Sequence, residues 1–295
     1  MFHTILIGSD GSENAQNAAL LASEIAKRFA SQIVVLNVFD LSFAAAGDIG
    51  YGSISVSPQI IEECIQGELT AAENAVKPIL ASLQPPYRML QELGHPVDTI
   101  IAVAGREKAD LIVVGSRGRS RLEEFFLGSV SSGVLHYAHC PVLIERGKPR
   151  PMRRILLASD GSAGSWKAAG AACVLARGFD ACLRVLNVNE PAGRFHKSTA
   201  DPYPVKTPEE PEESVRRRHF VEASVEAAAK ETGITFQICE ERGHAGESIV
   251  RYADTENYDL IVMGSRGLGG FERLLLGSVS NYVAHHAHCP VLIVR

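Results

Sequence analysis

The chain is written twice, and that constrains its fold more than any other feature. Asp110–Arg146 laid on Asp259–Arg295 gives 24 identities in 37 positions, where chance composition gives about two. Upstream, Ile5-Leu-Ile-Gly-Ser-Asp-Gly-Ser12 matches Ile155-Leu-Leu-Ala-Ser-Asp-Gly-Ser162. The offset is 149 for the first match and 150 for the second, so one residue was gained or lost between them. A period of that length is a whole domain rather than a solenoid repeat. Two tandem domains are expected, residues 1–146 and 152–295, joined by Gly147-Lys-Pro-Arg-Pro151, whose two prolines hold the chain extended.

Each half is large enough to bury its own core, given 295 residues with 46% hydrophobic and 21% charged side chains. Within a half, short apolar runs alternate with helical spacing. Thr4–Ile7, Ile33–Val38, Tyr87–Leu93, Leu111–Val114 and Pro141–Glu145 read as strands. Between them the helices fall at Glu13 to Ala30 with Ser12 as N-cap, Gln59 to Leu83, Gly94-His-Pro through Gly105, and Val130 to Ala138. In the second half, strands are expected near Ile155–Ala158, Cys182–Val188, Thr235–Glu240, Leu260–Met263 and Pro290–Val294. Strands apolar at nearly every residue and alternating with helices indicate an α/β domain whose parallel sheet is covered on both faces. Residues 41–58 and 191–208 lack periodicity and read as loops.

The stretch that carries chemistry is Gly115-Ser-Arg-Gly118, then nine residues, then Gly128-Ser129-Val-Ser131, repeated as Gly264-Ser-Arg-Gly267 and Gly277-Ser278-Val-Ser280. A buried strand that ends in glycines and runs into a helix presents unpaired N–H groups and the positive end of the helix dipole. Glycine lets a ligand approach the backbone with no Cβ in the way. Gly128, Ser129 and Val130 would offer N–H groups, and the Ser129 and Ser131 hydroxyls further donors, to phosphate oxygens. The plainer alternative is that the glycines only end a strand and cap a helix. The pattern is neither GxxxxGK[ST] nor GxGxxG. Asp10 and Asp160 end the first strand of each half, at the rim where doubly wound sheets bind ligands. There a carboxylate can accept from a ribose hydroxyl or base amine, or else serve the following helix N-terminus. Val38 and Val188, closing the second strands, are where an adenine ring would meet main-chain N–H and C=O groups.

The Gly-Ser-Asp strand end, the GxxGx9G[ST] loop and the closing Ala-His-Cys-Pro-Val-Leu-Ile resemble the universal stress protein family in its tandem form. The resemblance covers nearly the whole chain, outside 41–58 and 191–208. It implies two open five-stranded parallel sheets of order 3-2-1-4-5, flanked by helices and Rossmann-like. It also implies ATP (or ADP or AMP) as ligand, with Mg²⁺ entering through the phosphates and no metal site of the protein's own. By motif, Gly8, Ser9, Asp10 and Val38 would hold the adenosine end. Val114, Gly115, Arg117 and Gly118 would line the ribose and phosphate path, and Gly128, Ser129, Val130 and Ser131 would cradle phosphate. Their counterparts are Ala158, Ser159, Asp160, Val188, Met263, Gly264, Arg266, Gly267, Gly277, Ser278, Val279 and Ser280. The spacer Arg119–Leu127 is charged whereas Leu268–Leu276 holds Gly269-Gly270, so unequal affinities are expected.

The expected function is that of a nucleotide-binding stress sensor or regulatory module, with no catalytic residue identified. A slow ATP hydrolase or phosphotransferase on the same cradle is the rival, for which Arg117 and Arg266 are the only arginines in place. A nucleotide-free interaction module is a third reading. A formal charge of −5 and a pI near 6.1 argue against a nucleic-acid partner. The basic residues Arg146, Lys148, Arg150, Arg153 and Arg154 read as a solvated linker. No apolar run reaches membrane-spanning length, and Met1-Phe-His-Thr-Ile carries no basic leader. Six cysteines without a CxxC, read as lying within helices and strands, suit a reducing cytoplasm. The groups His136, His139, Cys140 and His285, His286, His288, Cys289 read as helix-end residues rather than zinc ligands. Glu209–Glu213 followed by Arg216–His219 reads as acid at a helix start and base further along, rather than a docking patch. Val142–Glu145 and Val291–Val294 are final strands with apolar edges. Because single-domain relatives resemble pairs joined through that edge, an intramolecular pseudo-dimer is expected, and a homodimer of the whole chain is left open.

Overall fold

The computed structural model describes residues 1–40, 58–83, 86–118, 127–147, 150–189, 211–267 and 276–295. The loops expected at 41–58, apart from Pro58, and at 191–208, the middle of the linker, the first two residues of the acidic run 209–213 and most of both nine-residue spacers lie outside the described residues. The first half runs β1 (Thr4–Gly8), α1 (Glu13–Phe29), β2 (Gln32–Phe39), α2 (Pro58–Leu80), β3 (Arg88–Leu93), α3 (Pro96–Arg106), β4 (Leu111–Gly115), α4 (Ser129–Tyr137), β5 (Val142–Glu145). The second runs β6 (Arg154–Ala158), α5 (Ala163–Phe179), β7 (Cys182–Asn189), α6 (Pro211–Thr232), β8 (Phe236–Arg242), α7 (Ala245–Thr255), β9 (Leu260–Gly264), α8 (Ser278–His286), β10 (Val291–Val294). The chain forms two compact units, Met1–Pro151 with Pro290–Leu292, and Met152–Cys289 with Ile293–Arg295.

In the first half the strand order is β3-β2-β1-β4-β5, and in the second β8-β7-β6-β9-β10, which is the expected 3-2-1-4-5. The strands are parallel, with Gly8 level with both Leu36 and Val114, and Ala158 level with both Leu186 and Met263. All five residues of β4 and of β9 are buried, because helices cover both faces of each sheet. The chain order reverses beside β1 and β6, so the crevice at their carboxyl ends is the switch point of each sheet.

Local signals explain the helix ends. The Ser12 and Ser162 hydroxyls each accept a first-turn N–H, from Ala15 and Ser165, at 3.3 Å. The first helix of each half closes on a left-handed residue, Ala30 or Asp180, both with φ of 52°. One carboxylate ties the start of each central strand to its neighbour: Asp110 Oδ2 accepts from the N–H groups of His3 and Thr4 at 2.8 and 2.9 Å. Asp259 Oδ2 does the same for Arg153 and Arg154, at 2.9 Å each.

Several boundaries differ from those expected. Helix α4 starts one residue early, on Ser129, because Gly128 takes the cap position, and it ends on Tyr137 because Ala138 is already extended. Strands β2 and β7 run one residue past Val38 and Val188, held by Gly94 N–H donating to Phe39 O and Gly243 N–H to Asn189 O. Cys140 and Cys289 sit in the turns before β5 and β10 rather than inside elements; all six cysteines are free thiols.

Glu145, the last residue of β5, is 1% exposed, and neither carboxyl oxygen has a hydrogen-bond partner among the described residues. Val294 holds the equivalent place in the repeat. Burial pushes the Glu145 carboxyl from its usual 4.5 up to about 8. The unfolded chain releases this proton near 4.5, so the stability is complete below that pH and is lost as pH rises toward 8. The unfolding free energy of the intact chain, from urea midpoints and slopes, should therefore fall relative to that of Glu145→Gln by roughly a few kcal/mol across this window. Parallel midpoint curves for the two proteins would show that the carboxyl titrates normally.

Candidate functional site

The ends of β1 and β4 bring the two sequence motifs together. Ser9 N–H donates to Leu36 O at 2.9 Å, continuing the β1–β2 ladder one residue past Gly8. Gly11 then adopts φ of 77°, open only to glycine at low cost, and turns the chain into α1. Asp10 Oδ1 accepts Ser12 N–H at 3.0 Å, which fixes the carboxylate at the rim. A side-chain carbon built on Gly118 would lie 2.7 Å from Asp10 Oδ2, so Gly118 stands directly against that carboxylate. The second half repeats each contact: Ser162 N–H donates to Asp160 Oδ1 at 3.0 Å, Gly161 has φ of 79°, and Gly267 abuts Asp160 Oδ2.

Beside this rim the backbone of β2 is open. Residues of a parallel strand bond alternately to one neighbour and the other. Leu36 O bonds toward β1 and Phe39 O toward the β3 side, so Val38 N–H and C=O face the β1 side, beyond the point where β1 has ended. No described residue bonds them. Val188 has the same position, between Leu186 O, bonded by Ser159 N–H, and Asn189 O, bonded by Gly243 N–H.

The start of α4 supplies the third component. Gly128 N–H donates to Ser116 O at 2.8 Å, seating the helix on the end of β4, and Gly277 N–H does the same to Ser265 O. The first intrahelical bonds are Ser132 N–H to Gly128 O and Asn281 N–H to Gly277 O. The N–H groups of Ser129, Val130 and Ser131, and those of Ser278, Val279 and Ser280, have no acceptor among the described residues. Three backbone donors at the positive end of a dipole favour an anion. The guanidinium-bearing residues next to these turns are half-buried Arg117 and exposed Arg266.

Some expected donors are engaged within the protein. The Gly128 and Gly277 N–H groups are taken by β4 and β9, as above. The Ser131 hydroxyl is buried and donates to Gly115 O at 2.6 Å, and that of Ser280 donates to Ser265 O at 3.0 Å. These hydroxyls brace the strand end, and their backbone N–H groups are what remain for a ligand. Gly115 and Gly264 also have a packing role: a side-chain carbon on either would come within 2.7 Å of the α1 backbone at Asn14 or the α5 backbone at Gly164. Val114 and Met263 are buried, at 3% and 5% exposure, behind the glycines rather than at the surface.

Two residues that the motifs did not single out belong to the rim. Asn37 and Asn187 are buried and donate Nδ2 to Ser9 O and Ser159 O, at 3.0 and 2.8 Å. Each side chain ties the second strand to the turn carrying the aspartate. The signal was present as the repeated Leu36-Asn-Val38 and Leu186-Asn-Val188, an amide inside an otherwise apolar strand. The histidines near the helix ends fold back on their own helices: His136, His285 and His286 Nδ1 each lie 2.8 Å from a carbonyl one turn earlier. Among the described residues, no group of three His, Cys, Asp or Glu side chains could hold a metal ion, and no helix is long and apolar enough to cross a membrane.

Residues 1–146 and 151–295 each match the model of the universal stress protein family. The chain belongs to that family. A universal stress protein of Thermus aquaticus is 34% identical over 149 residues, covering 50% of this chain and 100% of the relative. One from Mycolicibacterium smegmatis aligns end to end, 26% identical over 297 residues, with 99% of this chain and 96% of the relative covered. The crystal structure of a universal stress protein from Archaeoglobus fulgidus superposes with a TM-score of 0.68 over 99% of this chain and 96% of its own, at 24% identity, and shares the fold.

The neighbouring glycines separate packing from site geometry in a testable way. At Gly115 an added methyl group meets backbone, so Gly115→Ala should cost about 1–3 kcal/mol by overpacking. At Gly118 it meets the far end of the Asp10 side chain, so Gly118→Ala should change stability by less than about 0.5 kcal/mol. Thermal unfolding of the two variants checks this order, and equal losses would refute it.

Proposed function

We propose that each half binds an adenine nucleotide, ATP in the first instance, and that the protein acts as a sensor or regulatory module whose state follows nucleotide occupancy. The observation that carries this reading is the duplicated rim. Three helix N–H groups with no acceptor among the described residues, a glycine against a fixed carboxylate, and a strand N–H and C=O that no described residue bonds recur in the same order in both halves.

Each component suits one part of the ligand. Phosphate oxygens fit the N–H groups of Ser129–Ser131 and Ser278–Ser280, where donors and dipole reinforce one another. The open N–H and C=O of Val38 and Val188 match an adenine edge, which offers a ring nitrogen acceptor beside an amine donor. Asp10 and Asp160 stand between, and a carboxylate there suits a ribose hydroxyl. ADP and AMP would use the same base and ribose contacts and fewer phosphate contacts. Mg²⁺ fits as a partner of the phosphates, since Asp10 and Asp160 are the carboxylates at the rim and one oxygen of each already accepts a backbone N–H. Membership of the universal stress protein family supports the stress-response role.

Freshly purified chain, denatured and analysed by mass spectrometry, should release adenine nucleotide, and nucleotide-free chain should give heat on titration with ATP. The double variant Gly118→Val, Gly267→Val should stay folded and lose affinity roughly tenfold or more, because each side chain displaces an aspartate and closes the approach to the backbone. The absence of both released nucleotide and ATP heat, with or without Mg²⁺, would refute the proposal. Unchanged affinity in the folded double variant would move the cradle elsewhere.

A further inference from the structure

The two halves differ where α2 and α6 meet the turn after the first strand. A side-chain carbon on Gly11 would touch Ala71 O and the Ala72 backbone, whereas one on Gly161 would lie 3.0 Å from Phe220 Cβ and 3.4 Å from Val221 N. Phe220 therefore replaces Ala71 beside the turn that carries the aspartate. Val221 beneath it is fully buried, as Ala72 is, but Phe220 is 64% exposed, the most open of the large apolar side chains described.

The helix bearing Phe220 also has a hydroxyl contact to the rim. Ser224 Oγ lies 3.2 Å from Ser159 Oγ in a buried contact, and Ser159 is the residue before Asp160. One turn on from Ala71, the first half has Ala75 in that place and lacks the hydroxyl. Strands β7 and β8 are parallel, so α6 runs opposite to them and its N-terminal half lies at their carboxyl ends. Side chains on a helix lean toward its N-terminus. By that rule the Phe220 side chain, whose Cβ is the atom nearest a side chain built on Gly161, leans toward the end of the sheet where Asp160 and the Val188 main chain stand.

We infer that Phe220 is the base-side wall of the nucleotide site in the second half, a stacking surface for adenine that the first half lacks. The inference rests on the nucleotide reading and adds to it a difference between the sites. An apolar ring held open to water beside polar groups suited to a base edge gains by stacking on the flat face of that base. A phosphate chain presents no such face, so the contribution belongs to the base alone.

Trp166 makes the second site observable. It is the chain's only tryptophan, lies in the first turn of α5, and has Gln16 as its counterpart. The preceding cap residue, Ser162, reaches Arg266 O of the glycine turn. Trp166 fluorescence, with calorimetry alongside, should be followed on the full chain and on Phe220→Ala, using ATP and inorganic tripolyphosphate as probes. The expected result is that Phe220→Ala weakens ATP at one class of sites roughly tenfold and leaves tripolyphosphate unchanged. Unchanged ATP affinity in Phe220→Ala, or an equal loss for tripolyphosphate, overturns this inference and leaves the nucleotide reading standing. No ATP binding by the unaltered chain overturns both.

Discussion

A parallel strand that stops short of its neighbour leaves that neighbour's main chain unpaired, and the rim of each half is built on this. β1 ends at Gly8 while β2 continues to Phe39, so Val38 presents N–H and C=O to a gap. β4 ends in glycine for the same reason of space, since α1 crosses it at Asn14 with no room for a side chain. The chain then re-enters as α4, whose first three N–H groups are unpaired by the nature of a helix start. Unsatisfied backbone is costly inside a protein, and at the switch point of a doubly wound sheet it is exposed to a ligand instead.

Holding those groups in position takes polar side chains buried where the sequence is otherwise apolar. Asn37 and Asn187 clamp the turn that carries the aspartate, Ser131 and Ser280 brace the strand end, and Asp110 and Asp259 tie the starts of the central strands. The asparagine and aspartate bonds recur pairwise in the two halves, and the serines brace neighbouring carbonyls of the same turn, Gly115 O and Ser265 O. The scaffold of the rim has thus survived the divergence of the copies, while its walls have not: Phe220 stands in the place of Ala71, Ser224 in that of Ala75 and Trp166 in that of Gln16. A further difference is the buried carboxyl of Glu145, raised by burial, where the second half has Val294.

The duplication and the α/β class were legible in the sequence alone, as a repeat and as local pattern, and the strand order followed from the family that the motifs resemble. Apolar runs of strand length between amphipathic helices allow few arrangements, and Ser12 or Ser162 before a helix states its own role. The glycine motif was equally plain as a pattern, but its parts do different work. Gly115 is spaced by Asn14, Gly118 by Asp10, and the Ser131 hydroxyl is used by Gly115 O. Those partners lie from 16 to more than 100 residues away in the chain, and no spacing rule reaches them. Register and helix placement decided which backbone groups stay open at Val38, that Asn37 points at Ser9 O, and that Phe220 stands beside Gly161. The sequence determined which elements form, since that depends on neighbours a few residues apart. The tertiary structure decided which donors are spent and which are free, since that depends on what distant strands and helices bring within hydrogen-bonding distance.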